Sequence, residues 1–182
     1  MKELALHILD ITQNSIKAEA TLVTLKIIES KAENTLTIII EDNGIGIPAD
    51  KLRTITDPFV TSRTTRKVGL GLSLFKAAAV ACEGFLEITS EVGVGTKVDV
   101  LFQRDHIDCA PLGNMADTIV CMVMSFGVAD LIYEHHYDDR SFIFDGKELK
   151  EALGVISLNE IDILNWIREF VENGLKEITE EK

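Results

Sequence analysis

Long apolar runs are missing from this sequence. The longest, Ile119 to Ala129, is interrupted by Ser125 and Gly127 and closed by Asp130, short of the roughly 20 residues that a membrane-spanning helix needs. A buried core segment is the expected reading. The N-terminus has no basic stretch followed by an apolar run and a small-residue cleavage site, so no secretory signal is read there and a cytoplasmic protein is expected. Cysteine is scarce as well. Cys82, Cys109 and Cys121 are odd in number and widely spaced, which fits neither a disulfide framework nor a zinc site built on paired close ligands; buried, reduced thiols are expected. Basic residues are few, 18 Lys and Arg against 30 Asp and Glu, for a net charge of -12. Phosphate neutralisation on DNA or RNA needs clustered cations, so a nucleic-acid partner is disfavoured. No G-x-x-x-x-G-K-[ST] loop occurs anywhere, which removes the commonest route to binding a nucleoside triphosphate.

What is present is enough for a sizeable core: 182 residues, 46% of them hydrophobic, suit one domain with an appendage or two small ones. Charge divides the chain. Residues 1–105 carry 12 basic and 14 acidic side chains, whereas 106–182 carry 6 and 16. The expected division is therefore 1–104 for one unit and 105–182 for an acidic C-terminal α/β extension.

Periodicity supplies the elements. Leu4, Ile8, Ile11 and Ile16 keep an apolar stripe on a helix over residues 2–18. Val23, Leu25 and Ile27 alternate with polar residues in a strand, and a β-branched second strand from Thr35 to Glu41 leads into Asp42-Asn43-Gly44-Ile45-Gly46-Ile47-Pro48. Residues 57–68 show no apolar period but a run of Thr, Ser, Arg and Lys, and read as an exposed lid. A helix over 70–82, stopped by Gly84, precedes two strands, 85–90 and 96–103. Beyond residue 105 the pattern predicts a helix over 113–126, strands over 130–137 and 140–144, and two helices. The last is entered through a capping box of Ser157 and Glu160, and it carries Ile163, Ile167, Phe170 and Val171 on one face before Gly174.

Three constellations point to chemistry. Asp10 and Asn14 are a helical turn apart, with Lys17 a further turn along. An Asn amide oxygen suits Mg²⁺, which takes few protein ligands, and Asp10 could orient or deprotonate a water; an ordinary solvated face is the alternative. After the second strand, Gly44 and Gly46 let backbone approach a flat ligand while Asp42 accepts from an exocyclic amine of the kind adenine carries. The alternative, an Asn-Gly hairpin turn, is disfavoured because Pro48 and a charged stretch follow. Lastly, Arg63, Arg66 and Lys67 precede Gly69-Leu70-Gly71, whose helix would open on a phosphate with its first N–H groups.

In this order, over residues 1–104, the segments resemble the superfamily of gyrase, heat-shock chaperone, histidine kinase and MutL ATPases. Leu9 to Ala18 looks like its asparagine box and Asp42 to Gly46 like its adenine-binding glycine box. Asp57 to Arg63, containing Phe59, is similar to the phenylalanine motif of histidine kinases. Val68 to Leu72 resembles the second glycine box, and Gly95-Thr96 the last motif.

The resemblance implies an α+β two-layer sandwich: a mixed sheet covered by helices, with ATP held under the lid. It implies Asn14 on Mg²⁺, Asp42 on adenine with Thr96 behind it, Lys17 and Arg63 on phosphates, and Asp10 where the gyrase and MutL branch has a catalytic glutamate. Phe59, Gly44, Gly46, Gly69 and Gly71 would complete the nucleotide site. Asp10 is one methylene shorter than that glutamate, so slow hydrolysis is implied. Only six residues precede His7, so a phosphate acceptor is expected downstream or on another protein.

Other residues carry less. His135 and His136 alternate in a strand and would point to opposite faces, away from a shared metal. His7 reads as a packing residue, with a place behind the nucleotide as the alternative, Trp166 as a core anchor, and the methionines Met115, Met122 and Met124 as core or a docking face. A regulatory ATPase or protein kinase with a protein partner is the leading expectation, a non-catalytic ATP sensor the second, and a homodimer is compatible with both.

Overall fold

The computed structural model describes residues 3–56 and 70–180. Helix α1 spans Leu4–Lys17, strand β1 Leu22–Ser30 and strand β2 Thr35–Asp42; a single turn of helix, α2, follows at Ala49–Leu52. Helix α3, Leu70–Ala81, leads to strands β3, Phe85–Glu91, and β4, Gly95–Gln103. The C-terminal part contributes α4, Met115–Phe126, β5, Asp130–Tyr137, β6, Arg140–Asp145, α5, Gly146–Leu153, and α6, Ile161–Thr179.

The six strands form one mixed sheet in the order β3-β4-β2-β1-β5-β6. All neighbours are antiparallel except β1 and β5, which run parallel from Leu22 beside Asp130 to Glu29 beside Tyr137. The period-two pattern decides which face is covered. Val23, Leu25 and Ile27 of β1, Leu36, Ile38 and Ile40 of β2, Val98, Val100 and Phe102 of β4, and Leu131 and Tyr133 of β5 are buried against the helices. The alternate residues face the other way and are largely polar, as in the cross-strand pair Lys26–Glu134 at 2.8 Å. A sheet with one apolar and one wetted face packed under helices is the two-layer α+β architecture.

The acidic C-terminal part continues this sheet with β5 and β6, and its α4 and α6 share the same apolar cluster as α1 and α3. Its linker also completes α1. That helix has no side-chain cap at Glu3, and the N–H groups of Leu4 and Ala5, which have no partner inside the helix, donate to the carbonyls of Pro111 and Leu112 at 3.0 and 2.9 Å.

Four local expectations are corrected. Helix α6 begins at Ile161, and Glu160 caps it without a side-chain hydrogen bond, so Ser157 and Glu160 form no capping box. Nor does Gly174 end α6. It is buried mid-helix, where an added methyl would run into the Phe142 ring of β6. Trp166 is half exposed at 49%, stacked on Phe170 at 4.9 Å instead of anchoring the core. Cys82 is buried, but Cys121 is exposed and Cys109 only partly covered.

Candidate functional site

A cavity of about 260 Å³ opens between α1 and the β2–β4–β3 end of the sheet. Its walls are mostly apolar, from Ile11, Ile40, Ile45, Ile47, Ile55, Leu72, Ile88 and Val98. Its polar groups are few and convergent: Asn14, Ser15 and Lys17 from α1, Asp42 from β2 and Thr96 from β4. Greasy walls with a handful of placed polar atoms suit a flat, edge-polar ligand. A second hollow of about 450 Å³ lies at the same end of the strands; it shares Asp42 and Thr96 with the first, adds Ser90, and is otherwise walled by residues such as Thr24, Glu41, Thr89 and Lys97 from the opposite face of the sheet. Its lysine is already paired with Asp99 at 3.0 Å, so it offers an anion little.

The loop after β2 is shaped by contacts only glycine permits. A methyl on Gly44 would lie 3.0 Å from Ala18 Cβ and press on the Ala18 carbonyl oxygen, which accepts from Ile45 N–H at 2.8 Å. Gly46 has φ +72°, and a methyl there would collide with the Glu91 carbonyl. These approaches pull the loop down onto the end of α1 and hold Ile45 and Ile47 over the cavity. Asn43 is spent on structure: its Oδ1 accepts from the N–H groups of Thr21 and Leu22, both at 2.9 Å, and its Nδ2 donates to Thr21 Oγ1.

Asp42 is held from two sides. Ser15 Oγ donates to Oδ2 at 2.6 Å, and Gly44 N–H donates to Oδ1 at 2.9 Å. Each carboxylate oxygen has two acceptor sites, so one on each stays available. Beside it in register stand Thr96 of β4 and then Ser90 of β3, with Thr96 Oγ1 and Ser90 Oγ 2.9 Å apart. Ser15 and Ser90 were not singled out from the sequence. Ser15 meets its partner 27 residues along the chain, and Ser90 meets Gly95 and Thr96 across the β3–β4 hairpin and Ile47 43 residues away.

The other expected site residues fall as follows. Asn14, Lys17, Asp42, Gly46 and Thr96 line the cavity, and Gly44 backs it. Asp10 is exposed and not among the lining residues; it lies beside Gly71 at the start of α3, where an added methyl would sit 3.7 Å from its Oδ2. Phe59, Arg63 and Gly69 lie outside the described residues. His7 is buried between α1 and α3, stacked on Phe75 at 4.8 Å, with Nδ1 unpartnered. Burial holds its pKa below the ordinary value, against the pull of Asp10. It is a neutral packing ring. His135 is bonded at both ring nitrogens, to Tyr133 at 2.7 Å and Glu29 at 2.9 Å, while His136 faces the other side of the sheet toward Glu134.

Residues 2–106 match the family profile described as histidine kinase-, DNA gyrase B-, and HSP90-like ATPase. The sensor kinase CckA of Brucella abortus (strain 2308) is 42% identical over 78 residues, covering 40% of this chain and 8% of that protein. The sensor protein kinase WalK of Staphylococcus haemolyticus (strain JCSC1435) is 40% identical over 80 residues, 41% of this chain and 13% of that protein. The chain thus spans a small part of the length of such relatives. Among solved structures, the N-terminal domain of a DNA repair protein superposes with a TM-score of 0.54 at 14% identity, covering 80% of this chain and 52% of that one. That likeness shows the fold and extends beyond the residues matched by the family profile.

Proposed function

Because the chain belongs to the histidine kinase-, DNA gyrase B-, and HSP90-like ATPase family, whose members bind ATP, we propose that the cavity beneath α1 binds Mg²⁺-ATP and that the protein acts as a regulatory ATPase or protein kinase. The observation that carries this reading is the convergence of Asn14 and Asp42 on one apolar-walled cavity. In it, adenine lies between the isoleucines of the glycine loop and the sheet, with its exocyclic amine donating to Asp42. A hydrogen bond to a charged group contributes about 1.5–3 kcal/mol. The triphosphate extends past Asn14 toward Lys17 and the start of α3 at Gly71.

The residues present fit a magnesium ion carried in on the nucleotide. Among the described residues no three acidic, His or Cys side chains converge on a point, and Mg²⁺ needs no such cage: it takes one or two protein oxygens and fills its shell with phosphate and water. The Asn14 amide oxygen, on the cavity wall, is the candidate protein ligand. When bound, the ion neutralises phosphate charge. In the enzyme reading Asp10, beside Gly71, holds a water or an acceptor hydroxyl.

A second reading, a non-catalytic ATP sensor, is favoured by the exposure of Asp10 and its absence from the residues that line the cavity. In that case nucleotide binding shifts the population of partner-competent states without turnover. In both readings the partner is a regulatory protein, and a homodimer is compatible with them. Among the described residues no helix is long and apolar enough to cross a membrane.

Calorimetric titration of the protein with ATP and magnesium tests the binding; no heat, or unchanged affinity in Asp42→Ala, overturns it. Incubation with γ-labelled ATP, with and without candidate partners, tests turnover. Label transfer or phosphate release lost in Asp10→Asn supports an enzyme, and tight binding with neither supports the sensor.

A further inference from the structure

We propose that Ser15 and Ser90 set the base specificity of the cavity by directing its protons away from the ligand, so that a purine is accepted only when its six-position carries an amine. This rests on the ATP reading above and deepens it. Both serines act through a neighbour, Ser15 through Asp42 and Ser90 through Thr96, and are positioning residues.

The argument is an account of protons. Ser90, Thr96 and Asp42 are register partners across β3, β4 and β2. Ser90 has one hydroxyl proton, and it goes to the Gly95 carbonyl at 2.8 Å, while Ile47 N–H donates to Ser90 Oγ at 2.8 Å. The remaining contact of Ser90, to Thr96 at 2.9 Å, then has a single possible sense: Thr96 donates and Ser90 accepts. Thr96 is left showing the cavity only lone pairs. On the α1 side, the one proton of Ser15 goes to Asp42 Oδ2 at 2.6 Å, and Gly44 N–H goes to Oδ1. An ionised carboxylate has no proton of its own to offer.

The three polar side chains at this end, Ser15, Asp42 and Thr96, therefore present acceptors and no free donor. Adenine answers with an N–H donor. Hypoxanthine and guanine place a carbonyl oxygen at the same position, lone pair against lone pair, and lose the bond as well. A charge-assisted hydrogen bond made by one base and denied to the other separates affinities by about 10- to 100-fold.

The test is calorimetric titration of the full chain with the magnesium complexes of ATP and ITP, which differ at the six-position of the base. Wild type is expected to bind ATP about 10- to 100-fold more tightly than ITP. In Ser90→Ala the Thr96 proton is free to turn into the cavity and donate to the hypoxanthine oxygen, so ITP affinity rises and the preference falls by about fivefold or more, toward the tenfold scale of one hydrogen bond. Ser90→Thr keeps the hydroxyl and restores the preference. Ser15→Ala removes the hydrogen bond that fixes the Asp42 carboxylate, so the acceptor is less often aimed at the amine; ATP weakens more than ITP and the preference narrows without Ser90 being touched, which keeps the proposal testable if either variant folds poorly. Equal binding of ATP and ITP by wild type overturns the proposal while leaving the ATP site standing. Equal weakening of both nucleotides in the variants also overturns it, because that is what a purely structural role produces. Failure of wild type to bind ATP overturns the ATP reading and this proposal together.

Discussion

His135 on β5 meets Glu29 on β1 through a 2.9 Å contact between Nε2 and Oε1, tying the C-terminal strands to the first strand from inside the sheet. The sense of that bond follows from chemistry. A carboxylate only accepts, so His135 Nε2–H donates to Glu29, while Nδ1 of the same ring meets the Tyr133 hydroxyl at 2.7 Å; burial raises the Tyr133 phenol well above its ordinary pKa. The other oxygen of Glu29 accepts from Arg104 Nε at 3.1 Å, and Arg104 in turn donates to Tyr137.

This network predicts acid sensitivity of the joint between β1 and β5. Burial by itself would raise the Glu29 pKa, but hydrogen bonds from His135 and Arg104 outweigh it and hold the group below its ordinary value. A depressed folded-state pKa contributes stability that is complete above the unfolded value of about 4.5 and is lost as pH falls through the folded value. Urea unfolding of wild type should therefore weaken below that range. Glu29→Leu should lose about 1–3 kcal/mol at neutral pH, since it takes an acceptor from His135 and from the partly exposed Arg104, and should show a shallower acid dependence.

The nucleotide reading predicts that Asp42→Ala lowers ATP affinity by at least about 10- to 100-fold. Saturating wild type with Mg²⁺-ATP at a hundred times its dissociation constant should stabilise the fold by about 2.7 kcal/mol, visible as a raised melting temperature. Absence of that rise in wild type would count against the site itself.

If the protein turns ATP over, Asp10→Asn should slow phosphate release or transfer by about 10²- to 10⁴-fold while leaving ATP affinity within about threefold, as expected for a group acting on a proton in the reaction. A variant that keeps its rate removes Asp10 from the chemistry.

Thiol chemistry should separate the three cysteines. Burial pushes the Cys109 thiol up to about 11 and raises that of Cys82 as well, so neither supplies much thiolate at neutral pH, whereas Cys121 is exposed. Titration of the native protein with a chromogenic disulfide should give one fast-reacting thiol, lost in Cys121→Ser, and the other two only on unfolding.

The exit from α3 supplies a backbone test. Glu83, not Gly84, takes the left-handed conformation, at φ +56°, and Gly84 is required because a methyl would collide with the Leu101 carbonyl of β4. Glu83→Gly should be neutral or stabilise by up to about 1 kcal/mol, whereas Gly84→Ala should cost about 1–3 kcal/mol in thermal unfolding.

Sequence alone determined the elements and the family. The apolar stripe of α1, the alternation in β1 and the β-branched run of β2 are local periodicities, and they appear in the structure nearly where they were read because a buried face leaves its period in the chain. Asn14, Asp42 and Gly46, which line one cavity, sit in short motifs whose spacing can be read locally, whereas Thr96 on the same wall was expected only from the resemblance. Tertiary structure decided what depends on partners distant in sequence. It joined β5 to β1 and so made the acidic C-terminal part a continuation of the sheet, placed Gly174 under Phe142, moved the start of α6 past Ser157, and brought Ser15 onto Asp42 and Ile47 onto Ser90. The physical reason is that a hydroxyl has no preferred partner written into its own neighbourhood. Which atom takes its proton is settled only when folding brings a carboxylate or a carbonyl within about 3 Å.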